Sequence, residues 1–593
     1  SHAGICPRRW RSCQTGRACH AAARAPGPLP GRFALRSRAM AEPLPSLVDL
    51  ERLDEAVLAE LRAALREAAL DDAFLGACEA IAPRMLDAVR LPVVQWWLRR
   101  DSRPAAVLAR LWAYGDAVDQ AVLARVLDGS LLGALLRAGA VRSAADGLRG
   151  GLRLVPLLGL WIASDEMHGD DPVMGPGATT QVLAQTIGHG EARVLDVGCG
   201  AGSLALVAAA RGAGEAVGID LHPRAAQWGR VNAALNELEV EWLTGDLTAP
   251  VRGRRFDLVV AQPPFVVKPP EVQATTYLHG GAMGDELALR LVSELPGVLE
   301  AGGQARLLFD SPVRADAPLW RRLQDALGDD ELQQLVFVSP GNSPELQAIG
   351  YAASSHPSLV SEYAEEVRRY REHLHVQGIE RTEHALAVLR RGSGAPGLSV
   401  TIERASLAGI DHEILAQTWA AIATASLPSE GLLATLVGMP DDAWLVQEQA
   451  ADGSEARLSL RLPAGRGGTE ALSDAAAILV DQLREPATVA ELVERYASAC
   501  ELDPAEVRGG VGGEELVDED EVFAQGDVGL AARNPVDGED QSARDRCEPD
   551  APVGESQPSA GPVIKRPDFL PLRIDGLVRD RRQMMKQMPF PWR

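Results

Sequence analysis

The feature that most constrains this chain is an apolar run that leads into closely spaced glycines, VLDVGCGAGSL at residues 194–204. The apolar half predicts a buried strand, and the residues from Leu204 onward predict a helix. The turn between them contains Gly198, Gly200 and Gly202. Glycine lets a backbone turn sharply and approach a ligand without a Cβ in the way, and a helix start offers free N–H groups to an anionic group. The pattern favours a ligand site over a plain turn.

An acidic residue follows at the end of the next predicted strand. This strand, AVGID, ends at Asp220, 18 residues after Gly202. A carboxylate in that place can accept hydrogen bonds from both hydroxyls of a ribose. The glycine turn and the acid together fit either a dinucleotide or S-adenosylmethionine.

Two later segments discriminate between these ligands. TGD ends a third predicted strand at Asp246, and FDLVVAQPPF predicts a fourth strand that runs directly into Gln262-Pro263-Pro264-Phe265. In a doubly wound sheet the substrate lies at the carboxyl ends of the strands, beside the point where the strand order reverses. A dinucleotide dehydrogenase has no use for a polar–Pro–Pro–aromatic tetrapeptide there, so S-adenosylmethionine is favoured.

With these motifs the chain resembles the class I S-adenosylmethionine-dependent methyltransferases, in the small-methyltransferase branch with an N-P-P-[FY] motif. That branch includes protein-glutamine N5, ribosomal-RNA guanine N2 and adenine N6 methyltransferases. The resemblance covers residues 160–310 well and extends weakly to about 400, and it is greatest to bacterial multidomain proteins related to release-factor glutamine methyltransferases. Further matching segments are ASD at 163–165, GPGATT at 175–180 and LHGGAMGDE at 278–286.

The resemblance implies a role for each matching residue of the cofactor site. Asp220 would bind the ribose, Asp246 and Leu247 would flank the adenine, and Thr179 or Thr180 would close over the cofactor from upstream. The methionine part would be held by Asp196, Gly198, Gly200 and Gly202.

The tetrapeptide would bind the methyl acceptor. The resemblance implies that Gln262 and the carbonyl of Pro263 accept the two hydrogens of a substrate NH₂, that Pro264 completes the motif and that Phe265 packs on the planar group. Family members usually have Asn or Asp where this chain has Gln262. The extra methylene adds about 1.5 Å of reach, which is enough to change positioning at a reacting atom.

Three functions follow from this reading. The first is methylation of a protein glutamine in a translation factor, so that the partner is a release factor or a ribosome-associated protein. The second is methylation of an amino group in ribosomal RNA or another nucleic acid, and the third is a degenerate cofactor-binding scaffold. The net charge of −23 argues against a protein that coats nucleic acid by charge alone. A local patch of Arg252, Arg254, Arg255 and Lys268 could contact phosphate or could be solvated surface charge.

Composition changes along the chain predict its domains. Residues 1–39 hold eight arginines and no acid, and we expect them to lie outside the natural protein, with Met40 as its start. A helical or winged-helix-like domain is predicted at 40–165, a doubly wound α/β methyltransferase domain with a seven-stranded sheet at 166–400, and a small winged-helix-like α+β domain at 401–500. An acidic disordered segment (501–560) and a basic tail (561–593) complete the prediction. The scattered cysteines and the short apolar runs favour a cytoplasmic protein with no metal site and no membrane contact.

Overall fold

The computed structural model describes residues 48–81, 87–166, 171–272, 275–314, 317–328, 332–355, 361–392, 398–440, 443–449, 456–462 and 469–509. The predicted N-terminal extension (1–39), the basic tail and the acidic segment beyond residue 509 lie outside these residues.

The first part of the described chain consists of helices followed by two β-hairpins. The helices are α1 (Glu55–Ala68), α2 (Asp72–Glu79), α3 (Asp87–Leu98), α4 (Pro104–Leu108), α5 (Gln120–Leu123) and α6 (Gly129–Ala138). The antiparallel hairpins pair β1 (Val141–Ala144) with β2 (Gly147–Gly150) and β3 (Leu152–Leu157) with β4 (Leu160–Asp165). Aspartates cap several of these helices: Asp54, Asp71 and Asp128 each accept a hydrogen bond from a first-turn N–H group.

The middle of the chain folds into a mixed sheet with helices on both faces. Its strands, together with one short separate pair, are β5 (Arg193–Val197), β6 (Glu215–Asp220), β7 (Glu241–Thr244), β8 (Phe256–Ala261), β9 (Val266–Val267), β10 (His279–Gly281), β11 (Leu299–Val313), β12 (Gln333–Pro340), β13 (Arg381–Arg390) and β14 (Ser399–Glu403). Its helices are α7 (Ala178–Gln185), α8 (Ser203–Ala210), α9 (Pro223–Asn236), α10 (Glu286–Glu294), α11 (Leu319–Leu327), α12 (Pro344–Ser355), α13 (Ser361–Val376) and α14 (His412–Ala425). The predicted α/β class is confirmed.

The strand order of the large sheet is β14-β12-β13-β11-β8-β5-β6-β7. Strand β13 runs antiparallel to both of its neighbours, and the other pairs are parallel. The chain moves from β5 outward through β6 and β7, then returns to the other side of β5 with β8. The order therefore reverses between β5 and β8, which is where an open α/β sheet leaves a crevice for ligands.

Two sequence predictions about this domain are wrong. The sheet has eight strands and not seven, because β14 adds to β12 in parallel. The predicted boundary at residue 400 therefore cuts through the sheet, and the helix after it, α14, buries Leu415 and Trp419 in the same hydrophobic cluster as strand residues of the sheet. No local signal distinguishes an added edge strand from the start of a new domain, because both are short apolar segments after a loop.

The last part of the described chain is a smaller α+β region. Its elements are α15 (Ser429–Leu433), β15 (Leu436–Val437), β16 (Trp444–Gln449), β17 (Ala456–Arg461), β18 (Thr469–Ala471), α16 (Asp474–Gln482), β19 (Ala487–Thr488), α17 (Val489–Cys500) and α18 (Pro504–Gly509). Helix α18 buries Val507 against Tyr496 and Cys500 of α17. The prediction that disorder begins at residue 501 is therefore wrong for 501–509, because these residues still contribute to an apolar core.

The N-terminal hairpins and the sheet share one hydrophobic cluster, and side-chain amides fix the contact between them. On α9, Asn236 accepts a hydrogen bond from the Trp161 N–H (2.9 Å) and donates one to the Trp161 carbonyl (2.8 Å). Asn232 makes the same pair of hydrogen bonds with Ala163 (2.8 and 2.7 Å). The two asparagines thus form hydrogen bonds with the free edge of β4 as a neighbouring strand would, and they hold this strand against α9.

None of the helices in the described ranges is both long enough and apolar enough to cross a membrane.

Candidate functional site

A cavity of about 510 Å³ opens at the carboxyl ends of β5, β6 and β8, at the reversal of strand order. Of the residues predicted from the sequence, those that line it are Thr179, Thr180, Asp196, Gly198, Gly200, Asp220, Asp246, Leu247, Gln262, Pro263, Pro264 and Phe265. The fold thus brings the predicted cofactor residues and the predicted acceptor residues into one space. Gly202 is the exception, since it does not line the cavity.

The three glycines of the turn adopt positive φ angles of 73°, 53° and 88°, which only glycine reaches without strain. A Cβ on Gly200 would lie 2.9 Å from the Met174 carbonyl oxygen. The absence of a side chain here therefore lets the segment that contains Met174 pack against the glycine turn. A Cβ on Gly202 would lie 2.3 Å from the ring of Trp242. Gly202 therefore serves the packing of the turn on Trp242, and the role in cofactor contact implied by the resemblance does not fit its position.

Asp220 lies at the end of β6 with its carboxylate held by backbone. One oxygen accepts a hydrogen bond from the Gly200 N–H and the other from the His222 N–H, both at 2.9 Å. Burial raises the pKa of Asp220, and these two hydrogen bonds oppose the rise. A carboxylate has about four acceptor positions, so both oxygens keep a lone pair for hydroxyl groups of a ligand.

Asp196, at the end of β5, is buried beneath the glycine turn and also reaches the cavity. Its carboxylate accepts a hydrogen bond from the Ala205 N–H in the first turn of α8 (3.0 Å). Burial raises its pKa to about 7, far above the ordinary value of 3.8. A cation entering the cavity would favour the charged form of this group.

Asp246 and Leu247 form the wall beyond β7. Leu247 adopts a left-handed conformation with φ of 45°, an uncommon state for a residue with a branched side chain. Asp246 is half exposed and forms an ion pair with Arg290 of α10. Both residues line the cavity.

The side chain of Gln262 is held at both ends by the two threonines at the start of α7. Its Nε2 donates to Thr179 Oγ1 (2.7 Å), and its Oε1 accepts from Thr180 Oγ1 (2.9 Å). Thr180 Oγ1 also accepts from the Gly177 N–H (3.2 Å), so its single proton is committed to Gln262 and fixes the orientation of the amide. The threonines predicted to close over the cofactor thus also position the predicted acceptor residue.

The glycine-rich segment after the tetrapeptide packs directly against it. The Val266 N–H donates to the Leu278 carbonyl (2.9 Å), which pairs β9 with β10. A Cβ on Gly280 would lie 2.3 Å from the Pro264 carbonyl oxygen. The match of LHGGAMGDE to the family therefore has a steric basis, because a larger residue at 280 would displace the tetrapeptide.

Sequence reasoning missed the far wall of the cavity. Tyr277 precedes the glycine-rich segment, and Gln347 and Tyr351 come from α12, more than 80 residues after the tetrapeptide. Gln347 is fixed by hydrogen bonds from Asn342 (2.8 Å) and to the buried Asp310 (3.2 Å). No motif marks α12, so no signal in the sequence could have placed it here.

The charge of the lining is one-sided. Among the described residues that line the cavity there are four aspartates and one histidine, and no lysine or arginine. In the described ranges no group of three or more His, Cys, Asp or Glu side chains is arranged to hold a metal ion.

Comparison with known proteins identifies the central segment. Residues 176–326 match the family model of the methyltransferase small domain. This part of the chain is similar to the methyltransferase small domain. The predicted small-methyltransferase branch of S-adenosylmethionine-dependent enzymes is confirmed for this segment, which contains the glycine turn, Asp220 and the tetrapeptide.

Several curated proteins align with the same part of the chain. The release factor glutamine methyltransferase of Deinococcus radiodurans is 39% identical over 127 residues, which are 20% of this chain and 45% of that protein. The ribosomal protein L11 methyltransferase of Chromohalobacter salexigens is 36% identical over 134 residues, 22% of this chain and 43% of that protein. The chain spans 43–61% of the length of the first curated relatives it matches.

Solved structures also align with this chain. The ribosomal protein L11 methylase of Lactobacillus delbrueckii subsp. bulgaricus is 20% identical, with a TM-score of 0.22, and the alignment covers 37% of this chain and 81% of that one.

Proposed function

We propose that this protein transfers a methyl group from S-adenosylmethionine to a planar amide nitrogen, that of a glutamine side chain in a protein of the translation apparatus. The observation that carries the proposal is the cavity itself. It joins the glycine turn and Asp220 to the Gln262 tetrapeptide in a lining that contains aspartates and, among its described residues, no lysine or arginine.

The lining suits S-adenosylmethionine in charge and in hydrogen bonding. Asp220 would accept from the ribose hydroxyls, Gly198 and Gly200 would let the methionine part approach the backbone, and Leu247 would contact the adenine. The cofactor carries a sulfonium and an ammonium cation, which the aspartates of the lining would stabilise. When bound, it supplies a methyl group that is open to attack by a nucleophile.

The acceptor nitrogen of an amide is a weak nucleophile, because its lone pair is delocalised. Hydrogen-bond acceptors on its two hydrogens would pull it out of the plane and direct the lone pair toward the methyl group, so that positioning and electrostatics do most of the work. Gln262 keeps one lone pair and one N–H after its bonds to the threonines. It would accept one hydrogen of the substrate, the Pro263 carbonyl would accept the other, and Phe265 would pack on the planar amide.

A protein acceptor is favoured over a nucleic acid by the charges around the site. Arg254 forms ion pairs with Glu215 and Glu241, and Arg255 donates to the carbonyl of Leu299 (3.1 Å). Lys268 donates to the Pro269 carbonyl (3.3 Å). Three of the four basic side chains in this patch thus already have partners, and only Arg252 is left, which argues against the basic phosphate-binding patch that the sequence allowed. The two curated relatives described above are named as methyltransferases of a release factor and of ribosomal protein L11, which supports the same choice.

The test is transfer of a radiolabelled methyl group from S-adenosylmethionine to purified release factor, ribosomal protein L11 and intact ribosomes. We expect label on a glutamine of a protein, loss of label with Asp220→Ala, and normal transfer with Asp325→Ala, an exposed aspartate on α11. Label on ribosomal RNA alone would establish the nucleic-acid alternative. Tight binding of the cofactor with no transfer to any of these acceptors would instead support the scaffold.

A further inference from the structure

Asp165 is a buried acid that lies outside the cavity yet contacts two of the segments that form it. It is the last residue of β4, in the N-terminal part of the chain, and only 2% of its surface is exposed. Its carboxylate accepts hydrogen bonds from Nη2 of Arg224 (2.7 Å), from Nε of the same residue (2.9 Å) and from the Val173 N–H (3.1 Å). It does not belong to the lining of the cavity, so its effect on a ligand must act through these partners.

The contact with Val173 fixes the upstream wall of the cavity. The Asp165 N–H donates to the Val173 carbonyl (3.2 Å), so backbone and side chain together hold this residue. The next residue, Met174, accepts a hydrogen bond from the Ala201 N–H (3.1 Å) within the glycine turn. Both Val173 and Met174 line the cavity, and their position against the glycine turn thus depends on Asp165.

The contact with Arg224 fixes a second segment of the cavity wall. Arg224 is in the first turn of α9, and its N–H donates to His222 Nδ1 (3.1 Å). The His222 N–H in turn donates to the Asp220 carboxylate (2.9 Å). The bidentate ion pair with Asp165 therefore fixes the position of the first turn of α9. Through this turn it also fixes His222, which holds Asp220, the residue predicted to bind the ribose.

The strand that carries Asp165 is itself fixed to α9. Asn232 and Asn236 bond the backbone of Ala163 and Trp161 on β4, and Asn232 also donates to the Ala201 carbonyl in the glycine turn (2.9 Å). The carboxylate thus stands on a strand that cannot shift relative to the helix without breaking several buried hydrogen bonds.

We propose that Asp165 is a positioning residue for the cofactor, so that the last strand of the N-terminal part belongs functionally to the methyltransferase site. It holds the Val173–Met174 wall and the Asp220–His222 wall at the separation that the ligand needs. This inference rests on the proposed function for the identity of the ligand, S-adenosylmethionine. It assigns the N-terminal part a share in cofactor affinity.

The test compares two buried aspartates of the N-terminal part by calorimetric titration of S-adenosylmethionine into the full chain. Asp165→Asn keeps the size of the side chain but removes its charge and places an amide beside Arg224. Asp116→Asn is the matched control, because Asp116 is equally buried and is paired with Arg99 and Arg110 but does not touch the segments of the cavity. We expect the Kd to rise about tenfold with Asp165→Asn and to stay within about twofold of the wild-type value with Asp116→Asn, at a temperature where circular dichroism shows all chains folded.

Arg224→Lys provides a second variant for the case in which Asp165→Asn does not fold. It keeps the charge but loses the bidentate geometry, and we expect it to weaken binding in the same direction. Unchanged affinity in the folded variants, or an equal loss with Asp116→Asn, would overturn the inference while leaving the proposed function intact. Absence of binding by the wild-type chain would overturn both.

Discussion

Replacement of Gln262 by Asn, the residue usual in the family, tests whether this site is built around the longer side chain. In the structure Gln262 reaches Thr179 at 2.7 Å and Thr180 at 2.9 Å. Removal of one methylene withdraws the amide by about 1.5 Å, so both contacts would lengthen to about 4 Å, beyond hydrogen-bond distance. The shorter amide would then have no fixed orientation toward the acceptor.

The expected magnitude follows from these two contacts. A hydrogen bond of this kind contributes about 1 kcal/mol, so the variant loses about 2 kcal/mol of positioning free energy. At 1.36 kcal/mol for each factor of ten, kcat should fall about 30-fold. We expect KM for the methyl-accepting protein to change less, because the threonines orient Gln262 and do not themselves bind that protein.

The assay is steady-state methyl transfer to whichever protein accepts the label in the test described above, with the cofactor in excess. Thr180→Val should lower kcat in the wild-type background but not in the Gln262→Asn background, because the contact it removes is already lost there. Thr180→Ser keeps the hydroxyl and serves as the matched control. A Gln262→Asn variant with kcat equal to or above that of the wild type would refute the reasoning, since it would show that the threonine contacts do not matter for transfer.

Four further predictions follow from the cavity and its supports. Gly202→Ala should lower the free energy of unfolding in denaturant by about 2–4 kcal/mol, because a Cβ would lie 2.3 Å from the ring of Trp242. The control Gly212→Ala has equal backbone strain without a clash and should cost about 1–2 kcal/mol. Equal losses in the two variants would contradict this account. The pKa of Asp196 is raised to about 7 in the folded chain. Its contribution to the free energy of unfolding is therefore present below pH 4 and is lost as the pH rises to 7. Between pH 5 and pH 8 the Asp196→Asn variant should become more stable relative to the wild type. Binding of the cationic cofactor near pH 7 should release a proton from the same group, seen as a dependence of the calorimetric enthalpy on the buffer, and Asp196→Asn should abolish it. Gly280→Ala should reduce methyl transfer more than cofactor affinity, because the added Cβ displaces the Pro264 carbonyl; a loss confined to cofactor affinity would contradict that.

Local sequence patterns predicted the parts of the site that lie at strand ends. The apolar runs before Gly198 and Gln262 are buried strands, and in a parallel sheet their carboxyl ends meet at one edge. The spacing from the glycine turn to Asp220 is likewise local, since it spans a single helix between adjacent strands. These features are therefore determined by short segments and can be predicted without knowledge of the rest of the fold.

Contacts between distant segments were outside the reach of the sequence. The hydrogen bonds of Gln262 to the threonines join residues more than 80 positions apart, and they show that an apparent departure from the family motif has its own supports. The packing of Gly202 on Trp242 similarly appears only when the turn meets β7.

The sequence by itself determined the α/β class, the small-methyltransferase segment and the residues that line the centre of the cavity. Only the tertiary structure decided the eighth strand, the far wall from α12 and the hydrogen bonds that join Asp165 to Val173 and Arg224. The physical reason is that hydrophobic periodicity and turn chemistry are properties of neighbouring residues. Pairing between distant side chains depends instead on where the whole chain places them, and it leaves no repeating pattern in the sequence.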